Sequence, residues 1–250
     1  TLKTFSAVTI SNALRRQYLG GKGLGLKLMF DLLKPGTKPL DENNLIIIMT
    51  GVLTGTGGPC SGRFHAVFKS PLTRIMGSSS CGGSFGRQLK SNGWDGIILK
   101  GKSDTPVTLQ IHNDSVKFVD ASALWGKDIS KAQNVFKSKQ METLMIGPAG
   151  ENLVRFANVA SGHRYLGRGG LGAVFGSKNL KAVIAKKGDY KVVPFFKDRF
   201  KKINATANKF INRNSISLNL REFGTTFFTK TAINSNMLPV NNFKYGNHPK

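Results

Sequence analysis

The sequence predicts an α+β fold: two related β-rich lobes with peripheral helices over residues 1–190, then the beginning of an α-helical second domain over residues 191–250. Three observations predict it. Short apolar or alternating runs bounded by Gly, Pro and Asn recur through the first part of the chain, which is the pattern of strands. Those runs return in the same order in a second half, as a duplicated unit would require. From Phe195 onward they give way to a polar pattern of helical period.

The entry is helical. Ser11 is placed to cap a short helix carrying Leu14 and Tyr18, and Gly20-Gly21 ends it. A second helix from about Leu24 to Leu33 stops at Lys34-Pro35-Gly36, where proline brings no N–H to continue the ladder. Strands are then expected at Leu45–Met49, Phe64–Phe68, Ile97–Lys100, Val107–Ile111 and Val116–Val119. Ile129–Lys137 reads as a helix, and Thr143–Ile146, Val154–Val159 and Leu180–Ala185 read as strands. Beyond the boundary near residue 190, helices are expected through Asn214 and again over Phe227–Asn234.

The repeat lies inside the first 190 residues. Leu45-Ile-Ile-Ile-Met-Thr-Gly51 is echoed by Thr143-Leu-Met-Ile-Gly147, and Gly62-Arg-Phe-His-Ala-Val-Phe-Lys69 by Leu153-Val-Arg-Phe-Ala-Asn-Val159. Gly82-Gly83 then precedes a short helix, a Lys/Asn turn and the strand Gly96–Gly101, and Gly169-Gly170 precedes the same succession ending at Ala182–Lys187. A few identities per block arise by chance in Gly-rich β proteins; the retained order favours duplication. Each lobe then offers a Gly-Gly turn, and the two turns face each other across the repeat.

With 40% hydrophobic residues among 250, the chain can fill a core. It has no apolar run long enough to cross a bilayer and no secretory pattern in its first residues, so the expectation is a cytoplasmic protein with no membrane partner. Two cysteines, Cys60 and Cys81, are too few for a disulfide scaffold or a cysteine-ligated cluster within this stretch, and both are expected to be small buried residues. The chain opens on Thr1 and closes at Lys250 in a polar stretch, from which a part of a longer protein is expected. The 37 Lys+Arg against 13 Asp+Glu leave a net charge of +24, a field that attracts polyanions. The basic residues are scattered, no Lys/Arg block exceeds two, and no nucleic-acid-binding motif is present, so a nucleic-acid partner ranks below an enzyme.

The densest candidate site is Gly162-His-Arg-Tyr-Leu-Gly-Arg-Gly-Gly-Leu-Gly172. Glycines let backbone N–H groups approach an anion, and Arg164 and Arg168 can each fork two hydrogen bonds to phosphate oxygens. Gly167-x-Gly169-x-x-Gly172 matches the dinucleotide fingerprint, but the strand expected at Leu180 leaves too little chain for a crossover helix. The same loop misses the Walker pattern, having Arg for Lys and Gly for Ser/Thr. A second site, Thr54-Gly-Thr-Gly-Gly-Pro-Cys-Ser-Gly-Arg63 with Gly77-Ser-Ser-Ser-Cys-Gly-Gly83, offers Arg63, short hydroxyls and another Gly-rich turn. Beside two arginines, His163 reads as a structural donor or an exposed loop residue rather than a metal ligand. The acids Asp95, Asp104 and Glu151 show no paired spacing.

Taken together, Leu53-Thr-Gly-Thr, Ser61-Gly-Arg-Phe, Lys69-Ser-Pro-Leu-Thr73, Cys81-Gly-Gly-x-Phe-Gly86, Ile146-Gly-Pro-Ala-Gly-Glu-Asn152, Gly162-His-Arg-x-x-Gly-Arg-Gly-Gly-x-Gly-Ala-Val174 and Gly176-Ser-Lys-Asn-Leu-Lys-Ala182 resemble the tungsten-containing aldehyde:ferredoxin oxidoreductase family. Phe223-Gly-Thr-Thr and Asn236–Phe243 resemble the entry to its helical second domain. The resemblance implies a tungsten or molybdenum bis-pterin whose phosphates contact Arg63, Gly82, Arg164, Gly167 and Arg168. It implies Mg2+ held by main-chain carbonyls of Ser80 and Tyr165, with Ser80 standing where the family often has asparagine. It also implies a 4Fe-4S cluster on ligands beyond residue 250, aldehyde as substrate, ferredoxin as acceptor, and homo-oligomers or partner electron-transfer subunits. Two alternatives stay open: a related tungsten enzyme acting on another carbonyl or an aromatic coenzyme A thioester, and a non-catalytic polyanion-binding module.

Overall fold

The computed structural model describes residues 3–136 and 140–247, and the chain divides into two compact units that part between Val193 and Pro194. The larger unit opens with α1 (Asn12–Tyr18), where the Ser11 hydroxyl accepts from the Leu14 N–H at 3.3 Å, and α2 (Gly21–Leu32). Gly21 starts α2 three residues earlier than expected and has a φ of 54°; a side chain there would meet the His65 ring.

Two sheets follow. The first contains β1 (Ile46–Thr50), β2 (Phe64–Lys69), β3 (Met76–Cys81) and, after helix α3 (Phe85–Ser91), β4 (Gly96–Leu99); its order is β3-β2-β1-β4. The second contains β5 (Val107–His112), β6 (Ser115–Asp120), β7 (Met141–Met145), β8 (Val159–Ser161), β9 (Arg164–Leu166) and β10 (Leu180–Lys186), in the order β6-β5-β10-β7-β8-β9. Helix α4 (Ile129–Asn134) precedes β7, and α5 (Pro148–Glu151) follows it. Helix α6 (Leu171–Ser177) precedes β10. Lys137, the last residue of the expected helix at 129–137, lies outside the described residues.

Read from its edge, the second sheet runs β9-β8-β7-β10, which is the order β3-β2-β1-β4 of the first. Every neighbouring pair in both quartets is antiparallel. The helix between third and fourth strands is seven residues long in each. The duplication is therefore architectural, and the β5–β6 hairpin is an addition that joins the second quartet by a parallel pairing of β5 with β10. One expectation is corrected. The strand anticipated at Val154–Val159 begins only at Val159, because Val154 to Ala157 form a turn closed by the Ala157 N–H to the Val154 carbonyl (2.8 Å). The counterpart of Phe64 is thus Val159, and the shared Arg-Phe dipeptide at 63–64 and 155–156 falls on unlike positions. The strands β3 and β9 went unpredicted: one is Gly/Ser-rich and the other three residues long.

Packing explains the run Ile46-Ile47-Ile48, all 0% exposed. A strand covered on both faces reads as continuously apolar rather than alternating; α2 lies against β1 and β2, while α3 touches β1 of the first sheet and β7 and β10 of the second. Polar side chains then fasten α3 to the second lobe. Gln88 donates to the Gln140 carbonyl (2.9 Å) and Asn92 to that of Lys186 (2.8 Å). Lys181, fully buried on β10, pairs with Glu151 of α5 and donates to the Lys127 carbonyl at 3.0 Å. A buried ammonium is tolerated when its charge is paired and further hydrogen bonds support the pair.

The smaller unit holds α7 (Lys197–Arg213), α8 (Ser215–Phe223), a 3-10 turn at Gly224–Phe228 and α9 (Thr229–Asn234). Asn214 ends α7 and caps α8, its side chain accepting from the Ser217 N–H at 3.1 Å. Helix α8 was not anticipated. Among the described residues no helix is long and apolar enough to cross a membrane.

Candidate functional site

The outer edges of the two sheets, β3 and β9, meet inside the larger unit. In register, Phe64 pairs with Cys81 and His65 with Ser80; in the second lobe Val159 pairs with Leu166 and Ala160 with Tyr165. Ser80 and Tyr165 are therefore equivalent positions, as are Gly82 and Gly167 one residue past the ends of β3 and β9. A cavity of about 530 Å³ opens there, lined by Ser79, Ser80, Tyr165, Gly167 and Arg168. Four of the residues singled out from the sequence, Ser80, Tyr165, Gly167 and Arg168, thus share one depression.

Arg63, Gly82 and Arg164 stand around it. Thr54, fully buried, positions the loop before Arg63 by donating to the Ser61 carbonyl (2.9 Å) and accepting from the Gly51 N–H (3.1 Å). Arg63 is exposed and donates to the Ser80 hydroxyl at 3.4 Å. The Gly82-Gly83 turn lies over the second lobe: a Cβ on Gly83, whose φ is 95°, would come within 3.8 Å of Arg164 Cγ and of Ser161 Oγ. At Gly82 a Cβ would meet nothing within 4 Å, so that backbone faces open space. On the other side, Gly169 and Gly170 take φ values of 73° and 77°, and a Cβ on Gly170 would stand 1.8 Å from the Arg155 carbonyl oxygen. Only glycine fits that approach.

The field of the site is positive. Arg63, Arg164 and Arg168 are exposed and form no ion pair among the described residues. Burial pushes the Cys81 thiol up, against the downward pull of Arg164 and Arg63. Burial pushes His65 down, and the charges of Lys22 and Arg63 push it further. His163 is exposed on its loop. Cys60, expected to be buried, is exposed at a φ of 56° in the turn at Pro59-Cys60. No cluster of three or more His, Cys, Asp or Glu side chains occurs among the described residues.

Sequence reasoning missed four contributors. Ser70, fully buried, donates to the Gly169 carbonyl at 2.7 Å, and Ser79 Oγ accepts from the Arg168 N–H at 3.2 Å. Ser161, 3% exposed, leaves its hydroxyl without a hydrogen-bond partner among the described residues, and Asn158 adjoins Gly167. The hydroxyl run Ser78-Ser79-Ser80 was the available signal, but which serine faces the loop depends on the register of an unpredicted strand.

Residues 1–187 match the family described as aldehyde ferredoxin oxidoreductase, N-terminal domain. The chain belongs to the aldehyde ferredoxin oxidoreductase family. It is 37% identical over 249 residues to the tungsten-containing aldehyde ferredoxin oxidoreductase of Pyrococcus abyssi, covering 97% of this chain and 41% of that protein. The Pyrococcus furiosus enzyme of the same description is 39% identical over 242 residues, 94% of this chain and 40% of its own. The chain therefore spans about two fifths of the length of these relatives. Among solved structures, the active site complex BamBC of benzoyl coenzyme A reductase with 1,5-dienoyl-CoA superimposes with a TM-score of 0.79 at 33% identity, over 82% of this chain and 32% of that one.

Membership in a family of tungsten enzymes implies a tungsten–pterin cofactor, and the residues present suit one. Three arginines without acids match doubly charged phosphates, and the open backbone at Gly82 leaves room for one beside Arg63.

Proposed function

We propose that residues 1–193 are the tungstopterin-binding part of an oxidoreductase that oxidises aldehydes to carboxylic acids and passes the electrons to ferredoxin. One observation carries the reading: equivalent edge strands of two lobes bring Ser80, Tyr165, Gly167 and Arg168 to one cavity, with Arg63, Gly82 and Arg164 around it. In this reading Arg63 and Gly82 hold a phosphate on the first lobe, and Arg164, Gly167 and Arg168 hold one on the second. The carbonyls of Ser80 and Tyr165, related by the repeat, are the protein ligands of a magnesium ion between them. A hard cation between two phosphates relieves the repulsion that the arginines alone leave. Because both protein ligands are backbone oxygens, serine serves as well as the family's asparagine at position 80.

The bound group supplies the two-electron redox chemistry, and this part of the chain binds it, orients it and shields its phosphates. A 4Fe-4S cluster is assigned to ligands beyond residue 250, and ferredoxin or a partner subunit to the surface nearby. Likeness to BamBC keeps a second reading in view, a tungsten enzyme acting on an aromatic coenzyme A thioester. Elemental analysis of the full-length protein, purified anaerobically after growth with tungstate, tests the cofactor; absence of both tungsten and molybdenum overturns it. Aldehyde-dependent reduction of oxidised viologen, set against oxidation of reduced viologen by an aromatic coenzyme A thioester, separates the two substrates.

A further inference from the structure

The Gly167–Arg168 peptide is held from both lobes. Its N–H, that of Arg168, donates to Ser79 Oγ on β3 of the first lobe at 3.2 Å. Its carbonyl, that of Gly167, accepts from Asn158 at the mouth of β8 in the second: with the amide nitrogen turned to the loop, Asn158 donates to Gly167 O at 3.2 Å and Phe156 O at 3.3 Å. Ser79 is 4% exposed, so its bond is sheltered from water, while Asn158 lies at the surface. One residue on, the buried Ser70 hydroxyl fixes the Gly169 carbonyl at 2.7 Å.

A peptide flanked by two glycine-rich bonds would otherwise turn easily. Gly167 has no Cβ, and Gly169 sits at a φ of 73°, so the loop Gly167-Arg168-Gly169-Gly170 lacks the steric restraint that ordinary residues provide. Hydrogen bonds at both poles of one peptide plane replace it. They set the direction in which the Arg168 side chain leaves the backbone, toward the cavity it lines with Ser79 and Ser80. They also hold that direction only while β3 and β9 stay side by side.

We propose that Ser79 and Asn158 are positioning residues of the anion site, acting as a two-lobe clamp that aims Arg168. The inference rests on the cofactor reading above. Because both clamp one peptide, their effects are coupled: once either bond is gone the plane can rotate, and loss of the second changes little more.

The test uses the full-length protein loaded with its cofactor. Ser79→Ala, Ser79→Thr, Asn158→Ala and the double alanine variant are compared by tungsten, molybdenum and phosphate per chain, and by the rate of cofactor release on mild warming. Each alanine variant is expected to release cofactor roughly five- to tenfold faster, the scale of one lost hydrogen bond. Ser79→Thr keeps the hydroxyl and is expected to behave as wild type. The double variant is expected to release no more than about twofold faster than the faster single, the mark of coupled positions. Hydrogen exchange at the Arg168 amide is expected to quicken in Ser79→Ala but not in Ser79→Thr. Normal loading with unchanged release in both single variants, or fully multiplicative effects in the double, overturns the clamp. Absence of tungsten, molybdenum and bound phosphate from the wild-type protein overturns the cofactor reading, and this inference with it.

Discussion

An arginine facing water without an acid beside it is ordinary, but three around one cavity repel each other and lose that cost only when an anion arrives. Arg63, Arg164 and Arg168 meet that condition, and Arg63 and Arg164 both pull on the Cys81 thiol from opposite lobes. Arg63→Ala and Arg168→Ala in the full-length protein are each expected to weaken cofactor retention by about 1.5–3 kcal/mol, the range for hydrogen bonds to charged groups. Metal and phosphate content after gel filtration measures it, and full loading in both variants ends the phosphate assignment. Lys178 makes a different prediction. It is 4% exposed, donates to the Glu42 and Gly101 carbonyls at 2.8 and 3.1 Å, and burial lowers its pKa from 10.5 to about 8 although Asp41 and Glu42 oppose the shift. Between pH 8 and 10.5 the unfolded chain keeps a proton that the folded one has lost, so this residue's contribution to stability rises with pH across that window. The stability difference between wild type and Lys178→Met is expected to move toward wild type as pH climbs from 8 to 10. A difference flat with pH refutes the depressed pKa.

At the scale of elements, the close approach of α5 and α6 depends on glycines in the Gly-rich segments that mark the site in sequence. A Cβ on Gly176 would stand 2.0 Å from the Gly150 carbonyl oxygen, and one on Gly172 2.6 Å from that of Asn158. Backbone cannot yield as a flexible side chain does. Gly176→Ala is therefore expected to destabilise the fold by about 1–3 kcal/mol or more, as overpacking does. Gly57→Ala, at an open turn with a φ of 82°, should cost only the smaller backbone penalty. Urea denaturation of the two variants compares them, and equal losses would show that α6 has room to shift. The same elements show what sequence alone can disclose. Strong periodicity placed β1, β2, β5, β6 and β10 within a residue or two, and the order of Gly-Gly turn, helix and strand exposed the repeat. Strands such as Met76–Cys81, rich in Gly and Ser, carry no such signal, since their register is imposed by the partner strand. The arginines and glycines of the site were legible because anion chemistry restricts the residue types. Ser70, Ser79, Asn158 and Ser161 were not, because their roles depend on which lobe they reach across to.

For the whole molecule, the repeat makes the site a seam: ligand groups on either side of it tie two sheets that already share a core, the polar fastenings of α3 and the bonds of Ser70, Ser79 and Lys178 between the lobes. The three arginines at this seam form no ion pair among the described residues, so a phosphate pair bound there should stabilise the larger unit by relieving their mutual repulsion. The proposed magnesium ion has only neutral carbonyls from Ser80 and Tyr165, and its affinity must come mainly from the phosphates. It should then be removable by a chelator without unfolding the protein. A ligand present at about 100 times its dissociation constant contributes about 2.7 kcal/mol to stability. For a unit of 150–250 residues that corresponds to roughly 5–10 °C, at about 2–4 °C per kcal/mol. Full-length protein stripped of magnesium by EDTA under anaerobic conditions is thus expected to melt lower, by less than this figure because a longer chain unfolds with a larger entropy, and to recover on addition of Mg2+ but not of K+. Magnesium content is followed alongside the melt. An unchanged midpoint with magnesium gone would mean that the ion does not bridge the lobes. A metal content of zero before chelation would remove the ion from the site altogether and leave the arginines as the sole counter-charge to the phosphates.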